Sequence, residues 1–256
     1  MKKKSEDFQN LYIFPKDMEI YKEVITRKRV KPKSISTLHK LNMLLCRELY
    51  LIIYIIETVY KNKLHRKMTE VHQTENWFNL VQWNPEELKF LTDAAKSRQT
   101  LTSPVRILNE VSLKFWVKTF ESSYEQTLFI PAIMYLFPNY DNDEPFRRSK
   151  LRKIFSELLT YRNNVSHYQI IIHEGRKLLN YYHKFLKLIY WMDKDYYHFA
   201  IRQSNFMKYY YQLFRHPKSI KGLYYSLQRS IKTHLWNFME KHPQIFHIEK
   251  EKAETE

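Results

Sequence analysis

Residues 49–65 read LYLIIYIIETVYKNKLH. The first eight are apolar and lie between Arg47, Glu48 and Glu57. Eight residues are too few to cross a hydrocarbon core, which takes about 20. The pattern around them, from Ser34 to about Thr69, is helical. Leu45, Ile52, Ile56 and Val59 share one face, and Leu51 and Ile53 lie well to either side of it. A helix that is apolar over so wide an arc is expected at the centre of a bundle.

The composition agrees. The chain has 256 residues, enough for a sizeable core, with 2 Gly and 9 Pro. So few glycines disfavour β-sandwiches and glycine-rich phosphate loops, whose turns need positive φ or close backbone approach. An all-α fold of long helices joined by proline-containing connections follows. NPEELKFLTDAAKSR, 84–98, opens with Asn, Pro and two Glu, each suited to the exposed amides of a helix start. SPVRILNEVSLKFWVKTF, 103–120, repeats the polar-Pro opening and reads as one helical pattern. EPFRRSKLRKIFSELLTYRN begins another helix, and two or three more are expected between about 174 and 240. No alternating strand and no internal repeat stands out.

Cys46 is the single cysteine, which excludes an intramolecular disulfide and a cysteine-based zinc site. A reducing, cytoplasmic setting fits it. MKKKSEDF at the N-terminus has no apolar stretch behind it, so no signal peptide and no membrane partner are expected. The net charge is +16, with 20 Tyr and 16 Phe, which points to a polyanion partner. RKRVKPK, 27–33, is a solvated linker or a phosphate-contacting arm at the end of a basic N-terminal segment, 1–33.

Residues 201–248 carry eight Lys or Arg against one acid, Glu240, interleaved with ten aromatic rings. Charge for phosphates and rings for bases suit single-stranded RNA. Lys208, Tyr210, Arg215, Lys218, Lys221 and Arg229 are the candidate RNA-binding residues. The competing reading is an amphipathic helix pair with its rings in the core. Residues 249–256, EKAETE with the preceding Glu249 and Lys250, read as a disordered tail.

One stretch breaks the apolar pattern: YRNNVSHYQ, 161–169. The stripe before it runs Leu151, Ile154, Phe155, Leu158, Leu159 and on to Val165. At about 100° per residue, Arg162 falls in the middle of that stripe. A charge there is costly unless paired or set at an interface. It is either a site or an arginine that snorkels or pairs structurally. His167 lies about 140° further round, so the two do not share a face, whereas Asn163 and His167 do. Asn-Asn-Val-Ser has poor helix propensity, and the helix is expected to distort or end there. A two-fold dimer is a second way to bring Arg and His together. An imidazole moves protons near neutral pH and a guanidinium braces a phosphoryl oxygen. Together they suffice for RNA cleavage with no metal and no cofactor. The same Arg-to-His spacing recurs at Arg229 and His234, without the Asn after Arg.

R-N-x-x-x-H, here Arg162, Asn163 and His167, resembles the motif of HEPN-domain ribonucleases. The order of LNEVSLKFWVKTFESSYEQTLF, LFPNYDND and the basic helix ending in the motif resembles the abortive-infection branch of that superfamily. So does the upstream IIETVYKNKLH followed by NWF. The likeness covers about residues 40–200, and a HEPN-like domain over 34–200 is expected. The paired HEPN domains of type VI CRISPR effectors are a more distant likeness. The resemblance implies a helical ribonuclease acting as a homodimer on an RNA substrate, with Arg162, Asn163 and His167 as the catalytic set and a phage-defence or toxin role. Glu57, on an apolar face with Ile53, Tyr60 and Leu64, is the remaining candidate. It is a carboxylate at the core edge, or it pairs with Arg162 and orients it. Lys61 stands where relatives often have Arg, and Gln169 where Tyr-regulated toxin relatives have Tyr. Control by a non-coding RNA bound to the C-terminal part is a further expectation, drawn from charge and aromatic content. The alternative to an enzyme is a non-catalytic RNA-binding protein that uses the same Arg and His as phosphate ligands.

Overall fold

The computed structural model describes residues 13–26, 30–96, 103–140 and 146–214. All regular elements among them are helical. In chain order the α-helices are α1 (Pro15–Thr26), α2 (Ile35–His72), α3 (Pro85–Lys96), α4 (Pro104–Glu110), α5 (Leu113–Lys118), α6 (Ile130–Leu136), α7 (Arg148–Ser166), α8 (Arg176–Met192), α9 (Lys194–Gln203) and α10 (Phe206–Leu213), with short 3-10 or π turns at Trp77–Asn79, Ser122–Tyr124, Glu125–Phe129 and Ile172–Glu174. The all-α expectation holds.

The apolar stretch lies in α2, a helix of 38 residues and so about 57 Å long. Leu38, Leu45, Leu49, Ile52, Ile53, Ile56, Tyr60, Leu64 and Met68 are all buried on it. It packs against α1, α4, α6, α7, α8, α9 and α10, which makes it the axis of the bundle. Gln73, at φ 54°, ends it in a left-handed cap. Tyr60 anchors one end of the core. Its ring lies 4.9 Å from Phe155 of α7, 5.2 Å from Phe120 and 6.2 Å from Trp116. Its hydroxyl hydrogen-bonds Thr119 Oγ1 at 2.7 Å.

Two boundaries differ from the sequence reading. The 103–120 pattern is two helices, because Val111 (ψ 132°) and Ser112 (ψ 158°) take extended backbone angles. That break turns Val111 into the core, where it is buried. α7 begins at Arg148 rather than near Pro145, which lies outside the described residues.

The chain divides into two units, Met1–Leu213 and Phe214–Glu256. Residues 201–213 therefore belong to the first unit and not to a separate extension. Glu48, buried on α2, explains why. Its Oε2 accepts the Asn205 N–H at 2.6 Å, just ahead of α10, and its Oε1 accepts from Arg47 at 2.9 Å. A carboxylate at a helix start complements both the free amides and the dipole. At the other end of α10, Lys31 N–H donates to Leu213 O at 2.8 Å and Lys31 Nζ to Tyr211 O at 2.6 Å. One lysine of the RKRVKPK run thus caps a helix C-terminus, while 27–29 lie outside the described residues. Within the 1–33 segment, α1 is a packed helix whose Tyr21 hydroxyl bonds His39 of α2 at 3.2 Å.

Candidate functional site: the end of α7

α7 buries Leu151, Ile154, Phe155, Leu158, Tyr161 and Val165. On an ideal wheel these span about 120°, and Arg162 falls between Leu151 and Phe155 inside that arc. Yet Arg162 is only half-buried. Its guanidinium makes no hydrogen bond or ion pair with any described residue. Tyr161, its neighbour, fills the adjoining core position. Its hydroxyl donates to the Glu174 carboxylate, and its ring packs 4.3 Å from Tyr181 and 5.9 Å from Phe185 of α8. Burial pushes the Glu174 carboxyl above the usual carboxylate range, partly offset by Lys177.

The helix ends at the motif, as its Asn-rich composition leads one to expect. His167 caps it, with φ −100° and ψ 10°. Tyr168 follows in the left-handed region at φ 50°. Tyr168 N–H bonds Val165 O at 3.2 Å and Gln169 N–H bonds Asn164 O at 2.9 Å. This pair of bonds is a Schellman closure, in which tyrosine takes the place usually given to glycine. The left-handed backbone costs such a residue roughly 1–2 kcal/mol, so the turn needs outside support.

Asn42 supplies it. The residue is buried on α2, facing the turn. Its Nδ2 donates to Gln169 O at 3.0 Å and approaches Tyr168 O at 3.5 Å. Its Oδ1 accepts Ile171 N–H at 2.9 Å and Ile172 N–H at 3.4 Å. Cys46 Sγ, one turn on, sits 3.5 Å from Gln169 O, and burial pushes its thiol up to about 12. One amide side chain thus satisfies both donors and acceptors of the backbone behind His167. His167 itself is exposed, as is Asn163, whose carbonyl accepts Ser166 Oγ at 3.1 Å.

Glu57 does not pair with Arg162. Its Oε1 lies 2.6 Å from Lys61 Nζ, one turn along α2. The geometry explains this. Tyr60 faces Phe155 and Asn42 faces Gln169, so α2 and α7 run antiparallel. Arg162 then lies at the level of about residue 51, roughly 9 Å along the axis from Glu57. Lys61 is near enough to take the carboxylate, and Arg162 is not. His65, in the same stretch, accepts the Trp77 indole N–H on Nδ1 at 3.0 Å, and burial holds its pKa below the ordinary value.

Of the candidate RNA-binding residues, Tyr210 is a core residue. Its ring stacks 5.8 Å from Phe206, its hydroxyl donates to Gly175 O at 3.3 Å, and burial pushes its pKa up to about 12. It has no face left for a base. Lys208 is exposed, its ammonium 5.8 Å from the Tyr209 ring centroid. Arg215, Lys218, Lys221, Arg229 and His234 lie outside the described residues, as does the 249–256 tail.

Asn42 and Glu48 escaped the sequence reading of the site. Each is a polar residue at an apolar position of α2, the signal that singled out Arg162. Among the described residues, no group of three or more His, Cys, Asp and Glu side chains could hold a metal ion, and no helix is long and apolar enough to cross a membrane. Comparison with protein-family models, curated proteins and solved structures finds no match for this chain.

Proposed function

We propose that this protein is a HEPN-type endoribonuclease of the abortive-infection kind, cutting RNA with Arg162 and His167 and without a metal. The observation that carries this reading is the state of Arg162. It lies on the core-facing arc of α7, half-exposed and without an ion-pair or hydrogen-bond partner among the described residues. A guanidinium held so keeps its fork of donors open to an anionic ligand. His167, five residues on, stands exposed on a turn that a buried amide braces. In the reaction the 2′-hydroxyl attacks the adjacent phosphorus and the 5′-oxygen leaves. His167 moves a proton, and Arg162 braces the charge on the non-bridging oxygens. Five residues of helix separate the two side chains by about 140°, which favours a two-fold dimer that sets His167 of one copy against Arg162 of the other. Asn163, exposed on the same side as His167, orients the imidazole or the phosphate.

The test is cleavage of a labelled structured RNA in EDTA by wild type, His167→Ala and His234→Ala. Wild type and His234→Ala should cut, leaving 2′,3′-cyclic phosphate ends. His167→Ala should be slower by about 10²- to 10⁴-fold. Equal cutting by His167→Ala, or loss of cutting only in His234→Ala, would remove the motif from the chemistry.

A further inference from the structure

The positive charge of the described chain is concentrated on two helices. RSKLRKIFSELLTYRNNVS, α7, carries five basic residues and one acid, and RKLLNYYHKFLKLIYWM, α8, carries four and none. The chain as a whole has 43 basic residues to 27 acidic, so nine to one is a local excess and not a share of the average. The helices touch through Tyr161 and Tyr181, and the single acid is taken up there, with Glu157 Oε2 at 2.6 Å from Lys184 Nζ.

Three of the four remaining lysines of the two helices lie over aromatic rings, and Lys153 is exposed without one. Lys177 sits 5.7 Å from the Tyr181 centroid, and Lys187 and Lys150 sit 5.3 Å and 5.7 Å from Trp191. Tyr181 and Trp191 are ten residues apart, so the two clusters stand about 15 Å apart along α8. Trp191 is buried, so its ring supports the ammonium groups and is not a platform for bases. Resting a long flexible lysine on a ring narrows where its charge can be. The seam also has a direction. Lys150 of early α7 meets Trp191 of late α8, and Tyr161 meets Tyr181 near the motif. On an ideal wheel Lys150, Lys153, Asn164 and His167 fall within about 100° of arc, and Arg162 lies on the other side of Tyr161.

We infer that the seam between α7 and α8 is the track along which the sugar–phosphate backbone of single-stranded RNA reaches His167. The inference rests on the reading of His167 as part of a ribonuclease site, and it assigns the substrate a different surface from residues 201–248. Arrival on the His167 side leaves Arg162 to act from elsewhere, as the two-copy arrangement requires.

The experiment measures binding of a labelled single-stranded RNA across a salt series, with the full chain carrying His167→Ala so that the probe survives. Lys153→Gln/Lys177→Gln/Lys187→Gln removes three exposed charges from the seam. Lys89→Gln/Lys96→Gln/Arg106→Gln removes three exposed charges from α3 and α4. Removing one phosphate-binding cation should flatten the dependence of log affinity on log salt by about 0.7. The seam triple should therefore flatten it by roughly 2 and weaken binding about tenfold or more at low salt, while the α3–α4 triple changes neither. Equal effects of the two triples, or none from the first, would overturn the track. Loss of binding in the seam triple, with no cleavage by the unaltered chain, would leave the track standing and remove the enzyme. No RNA binding by the parent protein would remove both.

Discussion

The carboxamide of Asn42 holds the backbone of Ile171, Oδ1 to N–H at 2.9 Å across 129 positions of sequence. The same side chain takes Gln169 O at 3.0 Å. An amide alone can do both, being donor and acceptor at once. Asn42→Asp turns the donor side into an acceptor aimed at a carbonyl, and Asn42→Ala leaves buried backbone groups unpaired at about 1–3 kcal/mol each. Both variants should lower the urea midpoint, Asp more than Ala. Both should speed hydrogen exchange at Ile171 and Ile172 beyond the global change. A midpoint shift with unchanged relative exchange would mean that the amide supports the core and not the turn.

Arg162 and Glu57 separate by the same kind of measurement. Arg162→Ala removes no ion pair with a described residue, so thermal stability should move by no more than about 0.5 kcal/mol while RNA cleavage is lost. Glu57→Gln breaks the pair with Lys61 at 2.6 Å, whose side chains are only 19% and 13% exposed, so it should cost more than the roughly 0.3–0.5 kcal/mol of an exposed helix pair while leaving cleavage intact. Unfolding of Arg162→Ala would make Arg162 a structural partner instead of a site residue.

How far the chain could be read without coordinates depended on periodicity. The central place of α2 followed from apolar residues on more than one face, and the end of α7 followed from the weak propensity of Asn-Asn-Val-Ser. Tyr210 follows the competing reading of its segment, a ring in the core, and not the RNA-binding one that its basic neighbours suggest. A ring between lysines looks the same in sequence whether it faces solvent or Phe206. The Glu57–Arg162 pair was misread because charge complementarity carries no register. An antiparallel helix pair fixes which levels meet, and only the Tyr60–Phe155 and Asn42–Gln169 contacts show that. The break at Val111 gave no sign, since neither Val111 nor Ser112 is a breaker of glycine or proline strength.

Stability should fall with acid through the half-buried imidazoles of His65 and His39. Trp77 Nε1–H can only donate, so His65 Nδ1 must be unprotonated for the 3.0 Å bond. Burial lowers the His65 pKa against a smaller opposing pull from Glu75, and burial also lowers that of His39 against a smaller pull from Asp17. A histidine whose folded pKa is depressed stabilises the fold fully above the unfolded value, about 6.5. That contribution is lost as pH falls from there through the folded value. Urea unfolding should show lower stability at mildly acidic than at neutral pH, and His65→Leu should show a smaller drop between the two. A drop of the same size in His65→Leu would place the titration at other groups.

The two-copy arrangement makes a claim about the surface of α2. Met43, Tyr50 and Tyr54 are 43%, 43% and 58% exposed. They share a stripe about 100° round the helix from Asn42 and Tyr60, which face α7. Large apolar side chains spaced along one face near a site are what an interface between copies would cover. Tyr54→Arg places a charge at the most exposed of the three without touching the core, so the folded monomer should survive with its circular dichroism unchanged. Light scattering should find wild type dimeric and Tyr54→Arg monomeric. Cleavage per chain should fall about tenfold or more, the effect of losing roughly 1.4 kcal/mol or more of association at a central tyrosine. Mixing Arg162→Ala with His167→Ala should restore part of the activity, because one site of each mixed dimer keeps an intact Arg162 and an intact His167 on opposite copies. Wild type that cuts RNA as a monomer, or mixtures with no recovery, would require both side chains to act from one chain.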